Sequence, residues 1–153
     1  MASLNISLAD DRATLADFYR KTLVDDVIPF WLRHGIDRQH GGIITSLNRD
    51  GSVLDTDKSI WFQGRAAWTF ATLYNTLENR TEWLAAAQSC VEFNRRHGYS
   101  QEGKMYFSVT REGAPLRMRR YVFRGGCAGS GPVFVFSGRR SSARMGGWRD
   151  LCE

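Results

Sequence analysis

The stretch that most limits what this chain can become is Lys58 to Asn79, KSIWFQGRAAWTFATLYNTLEN, in which Arg65 is the single charged side chain between Ser59 and Leu77. Its spacing predicts a helix. On a helix Trp61, Arg65, Trp68 and Thr72 fall at i, i+4, i+7 and i+11 and share a face. Ile60, Ala67, Ala71, Tyr74 and Leu77 occupy the other faces, so the helix is expected to be apolar nearly all round and buried on every side. A guanidinium on such a helix needs a carboxylate, water or a ligand, because burying it alone is too costly. From spacing, a buried ion pair and a ligand-facing charge are equally open.

The flanking segments read as amphipathic. Ser7 to Gly35 is expected to be an outer helix, opened by Ser7 and Asp10 as a capping box and stopped by Gly35. Leu15, Tyr19, Leu23, Val27 and Trp31 step by four along its buried stripe, and Pro29 is expected to kink or split the last turn. Gly41-Gly42 then open a hairpin, Ile43–Leu47 and Val53-Leu54, around Asn48-Arg49-Asp50-Gly51. Asp57 or Ser59 is the expected cap of the apolar helix and Asn79 its end. Thr81 to Gly98 forms a third helix with Trp83, Leu84, Ala87, Cys90, Val91 and Asn94 buried. A second hairpin follows, Met105–Val109 and Leu116–Phe123, turning at Arg111-Glu112-Gly113. The order is outer helix, hairpin, buried helix, outer helix, hairpin. It points to an all-α fold with short β-hairpins in two helical layers, the start of a larger domain.

Residues 124–153 break the pattern. They hold seven of the 15 glycines, five arginines, no lysine and two acids, whereas residues 1–123 carry 16 basic and 14 acidic side chains. The net charge of +5 is therefore largely a property of this tail and not a sign of a nucleic-acid surface. The tail reads as out-of-frame coding sequence or as a natural Gly/Ser/Arg-rich segment. A hydrophobic share of 42% with no long apolar run excludes a transmembrane helix, and a cytoplasmic protein is the expectation. Cys90, Cys127 and Cys152 are odd in number, without C-x-x-C spacing, and read as free thiols.

Most candidate chemistry has a simpler explanation. His34, His40 and His97 lie at helix ends or before glycines and lack zinc-site spacing. Asp55 and Asp57 read as a solvated helix entrance. Nucleotide-binding glycine motifs and a nucleophile elbow are absent. What survives is Arg65 between Trp61 and Trp68. Indole faces stack on sugar C–H surfaces and a guanidinium binds hydroxyl or carbonyl oxygens in pairs, so carbohydrate is the expected ligand.

Residues 28–123 resemble the N-terminal part of the N-acylglucosamine 2-epimerase family, which also includes mannose and sulfoquinovose isomerases and cellobiose 2-epimerases. The resemblance rests on HGGIITSLNRDGSVLDTDKSIWFQGRAAWTFATLYN, on EFNRRHG and on KMYFSVTREGAPLRMRRYVF, with W-x-Q-G-R after D-T-D-K as the core. It implies a partial (α/α)6 barrel, about the first third of the toroid, over residues 1–123. It also implies Trp61, Arg65 and Trp68 as substrate-binding residues, with Arg65 catalytic: its charge would stabilise the oxygen that becomes negative when the C2 proton leaves. The family's acid–base histidines lie on later inner helices and have no counterpart in this sequence. Arg124-Gly125-Gly126 also departs from the family's continuation after R-Y-V-F, so the chain is expected to be an inactive fragment. No metal or redox cofactor, nucleic acid or membrane partner is implied; a homodimer is possible in full-length relatives, and self-association is expected of the fragment. A glycosidase-type (α/α) barrel, or a non-catalytic interaction fragment, stays open as an alternative.

Overall fold

The computed structural model describes residues 12–118. The expected cap at Ser7 and Asp10, the end of the last strand beyond Met118 and the 124–153 tail lie outside the described residues.

Helix α1 covers residues 12–35. It is α-helical over Arg12–Thr22, π-helical over Leu23–Val27, α-helical over Ile28–Phe30 and π-helical over Trp31–Gly35. Pro29 neither breaks nor detaches the end, because the flanking residues keep right-handed helical dihedrals. The ladder widens around it instead: the Ile28 N–H reaches back to the Leu23 carbonyl, and the Ile36 N–H to that of Trp31. Wide turns carry more residues, so they rotate the stripe out of the expected four-step phase. Val24 and Ile28 are buried with Leu23, Trp31 and Leu32 beside them, whereas Val27 is exposed; Leu15 and Tyr19, ahead of the wide turns, are exposed because no residue of Arg12–Thr22 is buried.

Helices α2 (Ile60–Thr76) and α3 (Thr81–His97) form an antiparallel hairpin and the most extensive helix contact among the described residues. Ala67 and Ala71 of α2 face Ala86 and Ala87 of α3 in a core that also takes Phe70, Leu73, Tyr74, Trp83 and Cys90. Phe93 is buried where Val91 was expected, and Val91 is exposed. The helix ends also differ in detail. Neither Ser59 nor Arg80, the residues at the N-cap positions, makes a side-chain cap bond, and Thr81 is the first helical residue of α3, not its cap. Asn79 does close α2, donating from Nδ2 to the Tyr74 carbonyl at 2.9 Å.

Strands β1 (Ser46–Leu47) and β2 (Val53–Asp55) form the first hairpin. A three-stranded sheet joins β3 (Lys58–Ser59), β4 (Tyr106–Val109) and β5 (Pro115–Met118) in the order β3-β4-β5. The pairing of β3 with β4 ties the entrance of α2 to the second hairpin, a link absent from the sequence reading.

The helix-then-hairpin unit occurs twice with the same hydrogen bonds. Gly35 accepts from the Ile44 N–H at 2.8 Å, and Gly98 from Tyr106 at 2.9 Å. The turn bonds Asn48 N–H to Ser52 O and Gly51 N–H to Asn48 O recur as Thr110 to Ala114 and Gly113 to Thr110. His34 stacks on Phe30 and His97 on Phe93. Each imidazole fills the space beside the turn glycine, Gly51 or Gly113, where a Cβ would collide with it and where φ is positive, at 86° and 102°.

Gln63, fully buried, fastens the first hairpin to α2. Its Oε1 accepts from the Ile43 N–H and its Nε2 donates to the Ile43 carbonyl, both at 2.7 Å, as a neighbouring strand would. The close approach requires glycine at 42: φ is +73° and a Cβ would stand 2.5 Å from Gln63 Oε1. Gln63→Ala orphans two buried backbone groups, at about 1–3 kcal/mol each. Gln63→Glu also destabilises, because a carboxylate cannot donate to the carbonyl. Urea midpoints that match wild type for both variants would contradict this role.

Candidate functional site

The expected site residues lie on α2, but the helix is not buried on every side. Ile60, Gln63, Ala67, Phe70, Ala71, Leu73 and Tyr74 form its buried face. Arg65, Thr69, Phe62 (45% exposed) and Trp68 (61% exposed) face outward, and Trp61 is half-buried. Nothing among the described residues covers that face, which corrects the expectation of all-round burial. Arg65 accordingly reaches water and has no ion pair with a described carboxylate. Its guanidinium sits 4.5 Å from the centroid of the Trp61 ring, and Phe62 packs edge-on against Trp61 at 5.2 Å. Arg65 and Trp61 are therefore brought together as expected. Trp68, nearly a turn further on, extends the exposed face. An exposed cation beside two indoles presents donors and flat apolar surface together, the combination that suits a polyhydroxylated ligand.

Just before this helix lies a buried ionic cluster that the sequence reading missed. The Lys58 ammonium is fully buried and donates to Asp37 Oδ2 at 2.9 Å, to the Gly41 carbonyl at 2.7 Å and to the Arg111 carbonyl at 2.9 Å. It lies 4.3 Å from the Phe93 ring centroid. Arg111 grips both Asp37 oxygens, with Nε on Oδ2 at 2.8 Å and an NH2 group on Oδ1 at 3.0 Å. The N–H groups of Gln39 and His40 also donate to Oδ1. Burial by itself would raise the Asp37 carboxyl; the Arg111 and Lys58 hydrogen bonds, helped by the two backbone donors, overcome it and hold the group well below the ordinary carboxylate range. For Lys58 burial is the largest influence and lowers the ammonium, against the opposing pull of Asp37. With three oxygen acceptors in reach, charged Lys58 is the form that satisfies the site. The cluster joins the loop after α1, the strand entering α2 and the second hairpin, and so fixes where Trp61 and Arg65 stand.

The remaining candidates are structural. His97 is pushed below the ordinary imidazole value, first by burial and then by the Arg96 and Lys58 charges. Burial pushes the Cys90 thiol up to about 12, and it is a free, inert thiol. Asp55 is exposed and accepts from the Asp57 N–H at 3.0 Å, a turn bond and not a paired-carboxylate site. Among the described residues no three His, Cys, Asp or Glu side chains converge as metal ligands, and no helix is long and apolar enough to cross a membrane.

The family profile described as N-acylglucosamine 2-epimerase (GlcNAc 2-epimerase) matches residues 41–128, more than half of the sequence. The chain belongs to the N-acylglucosamine 2-epimerase family. The N-acylglucosamine 2-epimerase of Mus musculus is 41% identical over 104 residues, which are 65% of this chain and 25% of that protein. Among solved structures, a cellobiose 2-epimerase from Spirochaeta thermophila DSM 6192 superposes with a TM-score of 0.61 at 26% identity, covering 71% of this chain and 28% of that one. A sugar epimerase from a ruminal bacterium gives 0.60 at 28% identity, covering 67% and 26%. The chain thus spans about a quarter of the length of the curated relatives it matches, somewhat less than the third expected. Of the core motif W-x-Q-G-R, Gln63 is scaffold, while Trp61 and Arg65 remain on the open face.

Two contrasting outcomes follow for stability. Arg65→Ala and Trp68→Ala change the unfolding free energy by no more than about 1 kcal/mol, since both side chains are exposed. Asp37→Ala leaves Lys58 buried beside Arg111 without its carboxylate and costs about 3–5 kcal/mol, part of which returns when Lys58→Met is added. The pH dependence has a definite sign. Asp37 is depressed in the folded state, so its stabilisation is complete above about pH 4 and is lost as pH falls below that. Urea midpoints measured from pH 7 to pH 3 should show a shallower acid limb for Asp37→Asn than for wild type.

Proposed function

We propose that this chain supplies the sugar-facing, oxyanion-stabilising part of a sugar 2-epimerase or aldose–ketose isomerase, with monosaccharides or amino sugars such as N-acylglucosamine as the substrate class. The observation that carries the proposal is the Arg65 guanidinium stacked 4.5 Å over Trp61 on the open face of α2, in a chain of this family. In this reading α2 is an inner helix of an (α/α)6 barrel and α1 and α3 are outer ones, with the barrel portion over residues 1–123 and residues 124–153 outside it. The relatives are 2-epimerases, which disfavours the glycosidase alternative.

The chemistry is removal of the proton from C2 of the open-chain sugar, which places negative charge on the carbonyl oxygen of an enediolate. Arg65 would donate to that oxygen and stabilise it more than the neutral ground state, which lowers the barrier. Trp61 would hold the sugar's C–H face, and Trp68 would extend the apolar wall. Return of the proton to the opposite face of C2 gives the epimer; its return to C1 gives the isomer. A base and an acid are needed on the two sides of C2. The three histidines of residues 12–118 do not match that part: His34 and His97 wedge the hairpin turns, and His40 lies in the Asp37 loop. The site therefore requires groups beyond those described, and a cytoplasmic setting fits the free Cys90 thiol in the core.

Purified chain is expected to show no turnover of N-acetylmannosamine or mannose, yet a saturable change in tryptophan emission on sugar titration that Trp61→Ala and Arg65→Ala abolish. Turnover by the chain alone would sink the placement of the acid and base elsewhere. Absence of any saturable response would sink the sugar-facing role of α2.

A further inference from the structure

A second site lies away from the aromatic face of α2. An open cleft of about 250 Å³ runs between α1, the loop after it and the start of α3, with no residue of α2 in its lining. Arg33, Arg38 and Arg80 converge on it, with Glu82 as the one carboxylate in the lining and Leu32 and Trp83 as apolar wall. Arg33 and Arg38 are exposed and have no ion pair with a described carboxylate. Arg80 donates from Nε to Glu78 Oε2 at 2.6 Å, which leaves its outer NH2 groups for another acceptor, and its guanidinium stands 5.0 Å from the Trp83 ring centroid.

The start of α3 adds unpaired donors beside these arginines. Arg80 is the N-cap residue of α3 and makes no side-chain cap bond; its carbonyl takes the Trp83 N–H at 3.1 Å, so among the described residues the N–H groups of Thr81 and Glu82 are the ones left without an acceptor at this end of the helix. In the same wall the Trp83 indole Nε1 is buried and has no hydrogen-bond acceptor among the described residues.

We propose that this cleft is an oxyanion site, taking a phosphate-class anion either free or as the phosphoryl group of a small molecule. Three guanidiniums around one space repel one another until an anion joins them. Planar forked donors match tetrahedral oxyanions, and the positive end of α3 adds in the same sense. Glu82 and Glu78 moderate the field, so the cleft favours a singly or doubly charged anion over a polyanion. This site stands independently of the sugar-facing role of α2.

The test is calorimetric titration of the whole chain with inorganic phosphate, with glycerol 3-phosphate, and with glycerol as the uncharged control, at constant ionic strength. Saturable binding of phosphate is expected, weakened at least tenfold in Arg33→Ala/Arg38→Ala. Both arginines are exposed, so the double variant should melt at the wild-type temperature without anion. Equal affinity for both anions identifies free phosphate as sufficient, and tighter glycerol 3-phosphate identifies a phosphorylated small molecule; either supports the site. No saturable heat beyond that of equivalent chloride, or binding unchanged in the double variant, overturns it.

Discussion

A lysine ammonium with no contact to water is the constraint on which the rest of this structure depends. Lys58 can be buried only because Asp37, the Gly41 carbonyl and the Arg111 carbonyl surround it at hydrogen-bonding distance. Those partners come from two segments distant from Lys58, the loop after α1 and the second hairpin, so the chain must bring all three pieces together before the charge is satisfied. Isolated, the ion would cost far more than any single contact returns. Arg111 completes the cluster by gripping the same carboxylate through two bonds. The cluster stands immediately before α2, and the position of α2 determines where Trp61 and Arg65 are presented.

Gln63 performs the neutral version of the same task. Its amide replaces a missing strand beside Ile43, and Gly42 has no side chain so that this amide can come close. Together these contacts explain why the most recognisable residues of the family motif are divided in purpose. The glycine pair, Lys58 and Gln63 hold hairpins to helices, while Trp61 and Arg65 on the same helix remain outside the core. Burial therefore divides the residues of the motif into those that hold the fold and those left on the open face.

The repeated unit gives this arrangement a simple logic. F-x-x-R-H-G occurs at Phe30–Gly35 and again at Phe93–Gly98, and the turn R-D-G of the first hairpin returns as R-E-G in the second. This repetition was visible in the sequence and would have assigned His34 and His97 to turn packing directly. It would also have paired Arg49 with Arg111, although among the described residues only Arg111 has a carboxylate to grip. The β3–β4 pairing has no comparable signal, since a two-residue strand leaves no periodicity to read.

The sequence by itself determined the succession of helices and hairpins, both hairpin turns, the α2–α3 boundary and the pairing of Trp61 with Arg65 on one face. Those features follow from local rules: apolar spacing, glycine at positive φ, and residues four apart meeting on a helix. The burial of α2 on one side only, the shifted stripe of α1 and the Lys58–Asp37–Arg111 cluster were decided by tertiary structure. In each case the reason is the same. Which face of an apolar helix is covered depends on what packs against it, and a charge reads as solvated or buried only once residues distant in sequence have come to surround it.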